Sequence, residues 1–456
     1  MVRSPESYGL ILCKFSTAVW RFESQLYSAK ARLLRCRLSI SLLKQEYCTL
    51  KTSMDQRRFK VLAVATHPVQ YTAPLFRLMA AVPQLDFQVA YCSLRGANAA
   101  VDPDFQTNVK WDVPLLDGYA WTEIPNRGSG EESFWGLHNP GLKEFIRQGQ
   151  FDAVLCFVGY VRASFWIARK AAKSSHAAFL FGTDAHSLAP RDGKAWKVWF
   201  KKLFWPFLFR QADQVIVPST GTLEMMKSLG IPAEKITLTP YTVDNTWWKA
   251  QSAMADRQAV RAKWGASHDQ PVILFCAKLQ PWKRPMDLLQ AFAQVAFPGS
   301  LLIFAGEGPQ RSALETEVTR SGLQQRVRFL GFVNQSQLPA LYSAADLMVL
   351  PSIYEPFAVV VNEAMCCGCP VIVSDQVGAA RDLVAPVNPD FVFPAGDVPA
   401  LANILRRAFA DRQKLEEAGR RGFDHVETHS PQRIIAATVD AIGKAVESIR
   451  LRSKDA

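Results

Sequence analysis

The residues best able to do chemistry in this chain are two glutamates and two lysines. Glu355 and Glu363 stand with seven residues between them in LMVLPSIYEPFAVVVNEAMCCGCPVIVSD, residues 347–375. Lys278 and Lys283 stand in AKLQPWKRP, residues 277–285. A carboxylate accepts hydrogen bonds from hydroxyls, and a lysine is a point charge suited to phosphate. The elements that must position them follow from residue type. Residues 347–350 form an apolar run long enough for a buried parallel strand, and Pro351 ends it. Pro356 fits the first turn of a helix, where its missing N–H would be unpaired anyway. The pattern predicts a helix over 357–367, closed by Gly368 and Pro370, and a new strand from Val371. Glu355 then precedes the helix and Glu363 lies about two turns inside it. Free N–H groups, the positive end of the helix dipole and two acceptors would meet at one spot. That suits a ligand both phosphorylated and rich in hydroxyls. Lys278 and Lys283, at the carboxyl end of a strand, would clamp its phosphates, or else be two solvated lysines.

Other stretches offer weaker chemistry. AGEGP (305–309) places Gly306 in a Gly-rich turn after a strand, but Arg311 stands where a dinucleotide fingerprint needs its third glycine. FGTDAHSLAPR (181–191) ends a strand with Asp184 and His186, either polar catalytic groups or loop caps. THPVQY (66–71) follows the first strand with His67, Gln70 and Tyr71. Cys366, Cys367 and Cys369 sit at a helix end with no second cysteine or histidine pair nearby, so no metal is expected there. The DPD at 102–104 resembles a metal-holding Asp-x-Asp but has no strand pattern before it. Residues 194–210, KAWKVWFKKLFWPFLFR, place Trp196, Trp199, Phe200, Leu203 and Phe204 on one helical face and Lys194, Lys197 and Lys201 on another. Such a helix covers the sheet, or lies in a membrane interface; the first is the expectation.

The frame holding these groups reads as alternating strand and helix. Apolar runs at 60–65, 85–93, 153–159, 177–183, 214–219 and 236–241 predict one doubly wound parallel sheet. Runs at 272–278, 301–308, 327–332, 347–350, 371–375 and 391–396 predict a second. Residues 95–140, rich in Gly, Pro, Asp and Trp, read as a long functional loop or an insertion. The expected division is a basic extension at 1–58, a first domain at 59–243, a junction at 244–270, a second domain at 271–429 and a final helix at 430–456. Ile434, Ile435, Val439, Ile442 and Val446 fall at helical spacing in that last segment. Two such α/β domains facing each other make a cleft, and ligands sit at the carboxyl ends of the strands.

Composition excludes several classes. The net charge of the 456 residues is +12, but residues 1–60 hold twelve basic and four acidic side chains, so +8 lies there. The rest is near neutral, which argues against nucleic acid as a partner. No apolar run approaches the roughly 18 residues that span a bilayer. The nine cysteines are odd in number and scattered, as expected of reduced thiols in a cytoplasmic protein. Residues 1–58 lack the apolar core and cleavage site of a signal peptide. The expectation is that the working chain starts at Met54, with a transit-like peptide as the alternative.

Several of these stretches together resemble the retaining glycosyltransferases of family 4, which have the GT-B fold. The resemblance is strongest over 271–385, through AKLQPWKRPMDLLQAF, LLIFAGEGP, VRFLGFVNQSQLPALYSAADLMVLPSIYEPFAVVVNEAM and GCPVIVSDQVGAARDLV. In the first half it runs through THPVQYTAPLFR, WDVPLLDGY, GTDAH and PYTVDN. It implies two Rossmann-like domains and transfer of a sugar from a nucleotide-diphosphate sugar, with no cofactor and no metal. The acceptor would be a glycan, a lipid-linked molecule or a small molecule, in cell-envelope or exopolysaccharide synthesis. The setting would be the cytoplasm, at the inner face of an anionic membrane. Glu363 would take the ribose hydroxyls, Glu355 the transferred sugar, and Phe357, Ala358 and Val359 the sugar and diphosphate through their backbone. Lys278 and Lys283 would neutralise the leaving diphosphate and Val333 would meet the base, with Gly306 nearby. Asp184 and His186 would be catalytic, and His67, Gln70 and Tyr71 would lie on the acceptor side. Three positions depart from the family pattern. Lys278 replaces a usual arginine, Ala358 a usual glycine, and the first domain lacks the usual Phe-His pair near Gly182, Thr183, Asp184 and His186. The fold also carries nucleotide-sugar epimerases, which need no acceptor, and phosphorylases, which cleave a glycan with phosphate.

Overall fold

The structure, a computed structural model, describes residues 58–454 apart from 98–99, 103–106, 189–194 and 296–298. The basic extension, Pro103 and Asp104 of the DPD motif, and Lys194 lie outside the described residues. Phe59–Ala456 forms one compact unit by itself. Within it, the expected apolar runs fold into two all-parallel sheets.

In the first lobe β1 (Phe59–Ala65) pairs with β2 (Leu85–Tyr91) and with β6 (Ala153–Cys156). A small hairpin, β3 (Ala100–Asp102) with β4 (Thr107–Val109), and an edge strand β5 (Ala120–Glu123) lie between. The segment read as one long loop therefore contributes a strand to the main sheet. β7 (Ala178–Gly182), β8 (Gln214–Val217) and β9 (Ile236–Leu238) complete the order β5-β2-β1-β6-β7-β8-β9. Helices α1 (Ala73–Ala80), α2 (Gly141–Gly149), α3 (Ala163–Ser174), α4 (Ala195–Arg210) and α5 (Thr220–Ser228) make the crossovers. Alternation along β1 feeds two cores. Leu62 and Val64 pack with Phe165 and Trp205, while Val61 and Ala63 pack with Phe76 and Met79.

The stretch read as a junction is helical. α6 (Asn245–Ala253) and α7 (Arg257–Trp264) start at Asp244 and Asp256, whose carboxylates accept from the N–H of Trp247 and Ala259. Their Trp248 and Trp264 lie in the core of the second lobe. That lobe has strands β10 (Val272–Cys276), β11 (Leu301–Ala305), β12 (Val327–Gly331), β13 (Leu347–Leu350), β14 (Val371–Ser374) and β15 (Val392–Phe393). Their order is β12-β11-β10-β13-β14-β15. β10, β11 and β13 are buried along their whole length, which is why they read as unbroken apolar runs. Helices α8 (Pro285–Gln294), α9 (Arg311–Arg320), α10 (Leu338–Ala344), α11 (Val359–Cys366), α12 (Val398–Ala410) and α13 (Arg412–His425) surround this sheet.

The last helix, α14 (Pro431–Lys454), returns to the first lobe. There Ala441, Ile442, Ala445 and Val446 share a core with β1, β2, β6 and β7. The chain thus passes between lobes twice, and the two passages are bonded to each other. Thr242 Oγ1 donates to the His429 carbonyl, and Asn245 Nδ2 donates to the Val426 carbonyl at 3.2 Å.

One helix overturns its expectation. Trp196, Trp199, Phe200 and Leu203 of α4 do not cover the sheet; all four are exposed. Only Trp205, Leu208 and Phe209 of this helix are buried, with Phe204 half-buried beside them. Among the described residues, no helix is long and apolar enough to cross a membrane. No group of three or more His, Cys, Asp or Glu side chains there is arranged to hold a metal ion. Burial pushes the Cys92 and Cys276 thiols up to about 12 and those of Cys366, Cys367 and Cys369 higher still.

Candidate functional site

The loop between β13 and α11 is fixed by its neighbours. Ile353 N–H donates to the Trp282 carbonyl at 2.8 Å, and Ser374 Oγ donates to that of Ser352. The N–H groups of Gly378 and Ala379 donate to the carbonyls of Glu355 and Phe357 at 2.9 and 2.8 Å. This contact needs glycine, because a Cβ at Gly378 would lie 2.0 Å from the Pro356 oxygen. Ala358 then takes φ 83° and ψ 77°, a left-handed conformation rare for a residue with a Cβ. The helix starts after this kink, at Val359, and not in the Pro356 turn. Glu363 accordingly lies just over one turn inside it, not two. No side chain caps the first turn.

The carboxylate ahead of the helix is paired. Lys283 Nζ bonds Glu355 Oε2, and both side chains are mostly buried, at 17% and 13% exposure. The lysine arrives on a short turn at Pro281–Lys283, and Arg284 behind it is also left-handed at φ 54°. Lys278 sits at the turn's start, where its carbonyl accepts from Gln280 N–H at 2.8 Å. Gly306 shapes this region from behind. Its N–H is committed to the Gly331 carbonyl at 2.8 Å, and a Cβ on it would lie 2.0 Å from the Ala277 oxygen.

Glu363 is 4% exposed and accepts from Tyr342 Oη at 2.9 Å. Burial pushes its carboxyl up to about 7, against the pull of hydrogen bonds from Tyr342 and Gln335. Neither partner was anticipated. The signal was there for Tyr342, which with Ser343 supplies the hydroxyls in the otherwise apolar stretch LPALYSA of α10. Val333 and Val359 are half-buried against the same core, while Phe357 and Ala358 are buried.

The first lobe brings its own groups to this loop. The Tyr71 ring lies 5.8 Å from Tyr241, and Tyr241 lies 5.5 Å from Phe357. Burial first, then the charge of Asp184, raises Tyr71 to about 12; burial first, then Tyr71 and Asp184, pushes Tyr241 well up. Asp184 therefore faces this aromatic pair. The His186 ring lies 5.0 Å from Tyr354, next to Glu355. Asp184 and His186 thus stand opposite the 354–357 loop. His67 is held by Thr66 Oγ1 at 3.1 Å, and Gln70 is half-buried in the turn before α1.

Two further sets of contacts join the lobes. Asp112 accepts from the N–H of Ser336 at 3.1 Å and from its Oγ, while Asn334 Nδ2 donates to the Lys110 carbonyl at 2.7 Å. The Trp111 ring meets Phe332 at 5.7 Å. Elsewhere Thr220 N–H donates to Asp382 at 3.0 Å and Arg381 pairs with Glu224.

Known proteins share stretches of this sequence and its fold. Residues 55–242 match the family described as glycosyl transferase 4-like domain, and residues 256–425 match glycosyl transferases group 1. An uncharacterized glycosyltransferase of Methanocaldococcus jannaschii is 34% identical over 187 residues, covering 40% of this chain and 48% of that protein. The 2-deoxystreptamine glucosyltransferase of Streptomyces kanamyceticus is 32% identical over 186 residues, covering 40% and 47%. The chain thus spans about half the length of the curated relatives it matches. The crystal structure of Anabaena HepE in complex with UDP and glucose has a TM-score of 0.65 at 20% identity, covering 85% of this chain and all of that one. WaaG, a glycosyltransferase involved in lipopolysaccharide biosynthesis, has a TM-score of 0.60 at 16% identity, covering 83% and 99%. With both halves matched in order and the two-sheet fold in common, the chain belongs to the GT-B glycosyltransferases.

Proposed function

We propose that the protein transfers a sugar from a nucleotide-diphosphate sugar to an acceptor hydroxyl with retention of anomeric configuration and without a metal. The observation that carries this is one junction: the Lys283–Glu355 pair, the uncapped start of α11 behind Ala358, and the buried acceptor Glu363. Unpaired N–H groups at a helix start and a lysine suit a diphosphate. Glu363 suits ribose hydroxyls, whose hydrogen bonds favour its ionised form. Glu355 contacts the transferred sugar, and the backbone of Phe357, Ala358 and Val359 lines the sugar and diphosphate. Val333 borders the base. The complexes of HepE with UDP and glucose and with UDP-glucose make a uridine donor the first to test.

In the step itself the bond from the anomeric carbon to the diphosphate oxygen breaks. The acceptor oxygen bonds that carbon on the same face, and its proton passes to the departing phosphate oxygen or to Asp184 or His186. Lys278, Lys283 and the helix start stabilise the charge left on the diphosphate. Tyr71, His67 and Gln70 border the acceptor. The acceptor class is a glycan, a lipid-linked molecule or a small molecule of cell-envelope or exopolysaccharide synthesis, handled at the cytoplasmic face of the membrane.

A thermal-shift screen against UDP-, GDP- and ADP-sugars tests the donor, since binding the native state raises its melting temperature. Proton NMR of the product tests retention, and transfer in excess EDTA tests metal independence. An inverted product or loss of turnover in EDTA overturns the corresponding part. Donor turnover without acceptor, giving an epimerised sugar, overturns transfer itself.

A further inference from the structure

We propose that the exposed face of α4, together with the turn at Phe134 and Trp135, is a docking surface for an anionic lipid bilayer. Trp196, Trp199, Phe200, Leu203 and Phe207 recur at helical spacing along one stripe of this helix. They are 63%, 66%, 46%, 60% and 63% exposed. A surface helix normally turns such a stripe inward; here the opposite side, with Trp205, Leu208 and Phe209, is buried. The patch extends beyond the helix. The Tyr160 ring packs on Phe204 at 5.8 Å, and Ala163 N–H, in the same turn, donates to the Phe134 carbonyl at 2.9 Å. Phe134 and Trp135 are themselves 43% and 63% exposed.

Charge selects the occupant. α4 carries Lys197, Lys201, Lys202 and Arg210 and no Asp or Glu. Tryptophan beside lysine, with no acid, is the composition of a helix lying at the boundary of headgroups and acyl chains of anionic lipid. Two other covers fit less well. Residues 1–60 of this chain carry +8, and a second copy would bring the same lysines, so both set like charges together. The position also has a use. Lys201 Nζ donates to the Leu188 carbonyl at 3.1 Å, so α4 borders the loop that carries Asp184 and His186. Docking by this face would hold the acceptor side of the cleft at the bilayer, where a lipid-linked acceptor resides. That consequence rests on the glycosyl-transfer reading; the lipid contact does not.

The test uses the full chain and no sugar substrate, so it stands or falls apart from transfer. Sucrose-loaded vesicles of phosphatidylcholine alone, and of an equal mixture with phosphatidylglycerol, are sedimented with the wild type and two double variants. One is Trp199→Ser with Leu203→Ser; the other is Lys197→Gln with Lys202→Gln. Lys201 is left intact because it holds Leu188. The expected result is binding to the mixed vesicles, at least about tenfold weaker for the apolar variant. For the lysine variant the loss is roughly thirtyfold at low salt, removing the preference for anionic lipid. Melting temperatures should match the wild type, since Trp199, Lys202 and Leu203 are exposed and the half-buried Lys197 meets the exposed Trp196 ring at 5.9 Å. The proposal is overturned if the wild type stays in the supernatant, or if the apolar variant sediments like it. It is equally overturned if light scattering shows a dimer that the apolar variant converts to monomer.

Discussion

Replacing Glu363 by glutamine should change how stability depends on pH. The carboxyl is raised from the usual 4.5 to about 7, first by burial. The folded protein therefore holds a proton that the unfolded chain releases. Stability from this group is whole below about pH 4.5 and is lost as pH rises through about 7. At about 1.36 kcal/mol per pH unit, the gap is worth roughly 3 kcal/mol. Glu363→Gln keeps a neutral side chain of the same shape at every pH and can still accept from Tyr342, so it lacks this loss. The stability difference between wild type and variant should swing by about 3 kcal/mol between about pH 4 and pH 9, in favour of the variant at the alkaline end. For a lobe of this size that is roughly 6–12 °C in apparent melting temperature. Scanning calorimetry and urea titration of both proteins across that range measure it. A second readout separates function from packing. Wild-type affinity for the donor should rise as pH passes about 7, because the carboxylate is the stronger acceptor for ribose hydroxyls, and the variant should show no such rise. A stability difference that stays flat with pH would refute the reasoning.

Other perturbations give simpler outcomes. Lys283→Ala should lower kcat by about 10²–10³, the usual loss on removing one group that stabilises charge in the transition state, and steady-state kinetics would show it. At Ala358 the left-handed backbone tolerates a methyl but not a β-branch. Ala358→Val should cost about 1–3 kcal/mol in urea unfolding, while Ala358→Gly should fold normally and turn over a different ranking of donor sugars. Asp112→Ala removes both hydrogen bonds from Ser336, so amides at 332–336 should exchange faster by an amount near 1 kcal/mol in hydrogen-exchange protection.

The second sheet was legible because its central strands are buried on both faces. A run such as VILFC at β10 or LMVL at β13 has no polar positions to confuse with a helix face. β5 was not legible for the opposite reason: all four residues of AWTE are exposed at the sheet's edge, so no apolar run marks them. α6 and α7 are short and polar, and their only strong signals were the capping aspartates Asp244 and Asp256. For α4 the spacing of the aromatics was correct, but periodicity defines a face without saying what lies against it. The same limit applies to the candidate site. Glu355 and Lys283 stood out by type, yet their pairing depends on how the turn after β10 meets the loop after β13. The Tyr342–Glu363 bond joins two helices, and helical periodicity carries no information about which helix is the neighbour. Ala358 could be flagged by comparison with a usual glycine, but only the backbone angles show that the conformation is kept with a methyl in place.

The return of α14 to the first lobe sets the order in which the molecule can be completed during synthesis. The second lobe draws its core from one continuous stretch of chain, Val243 to Val426, and can close as soon as that stretch has left the ribosome. The first lobe is made earlier but cannot finish. One face of its sheet, including Val61, Val89 and Leu180, is covered only in part by Phe76 and Met79 until Ala441, Ile442, Ala445 and Val446 emerge. The half translated first is thus the half sealed last. In the interval it presents a wet apolar sheet face, the kind of surface that chaperones engage and that aggregates when they do not. A nascent chain stalled before residue 441 should therefore expose this face while its second lobe is already protected from proteolysis.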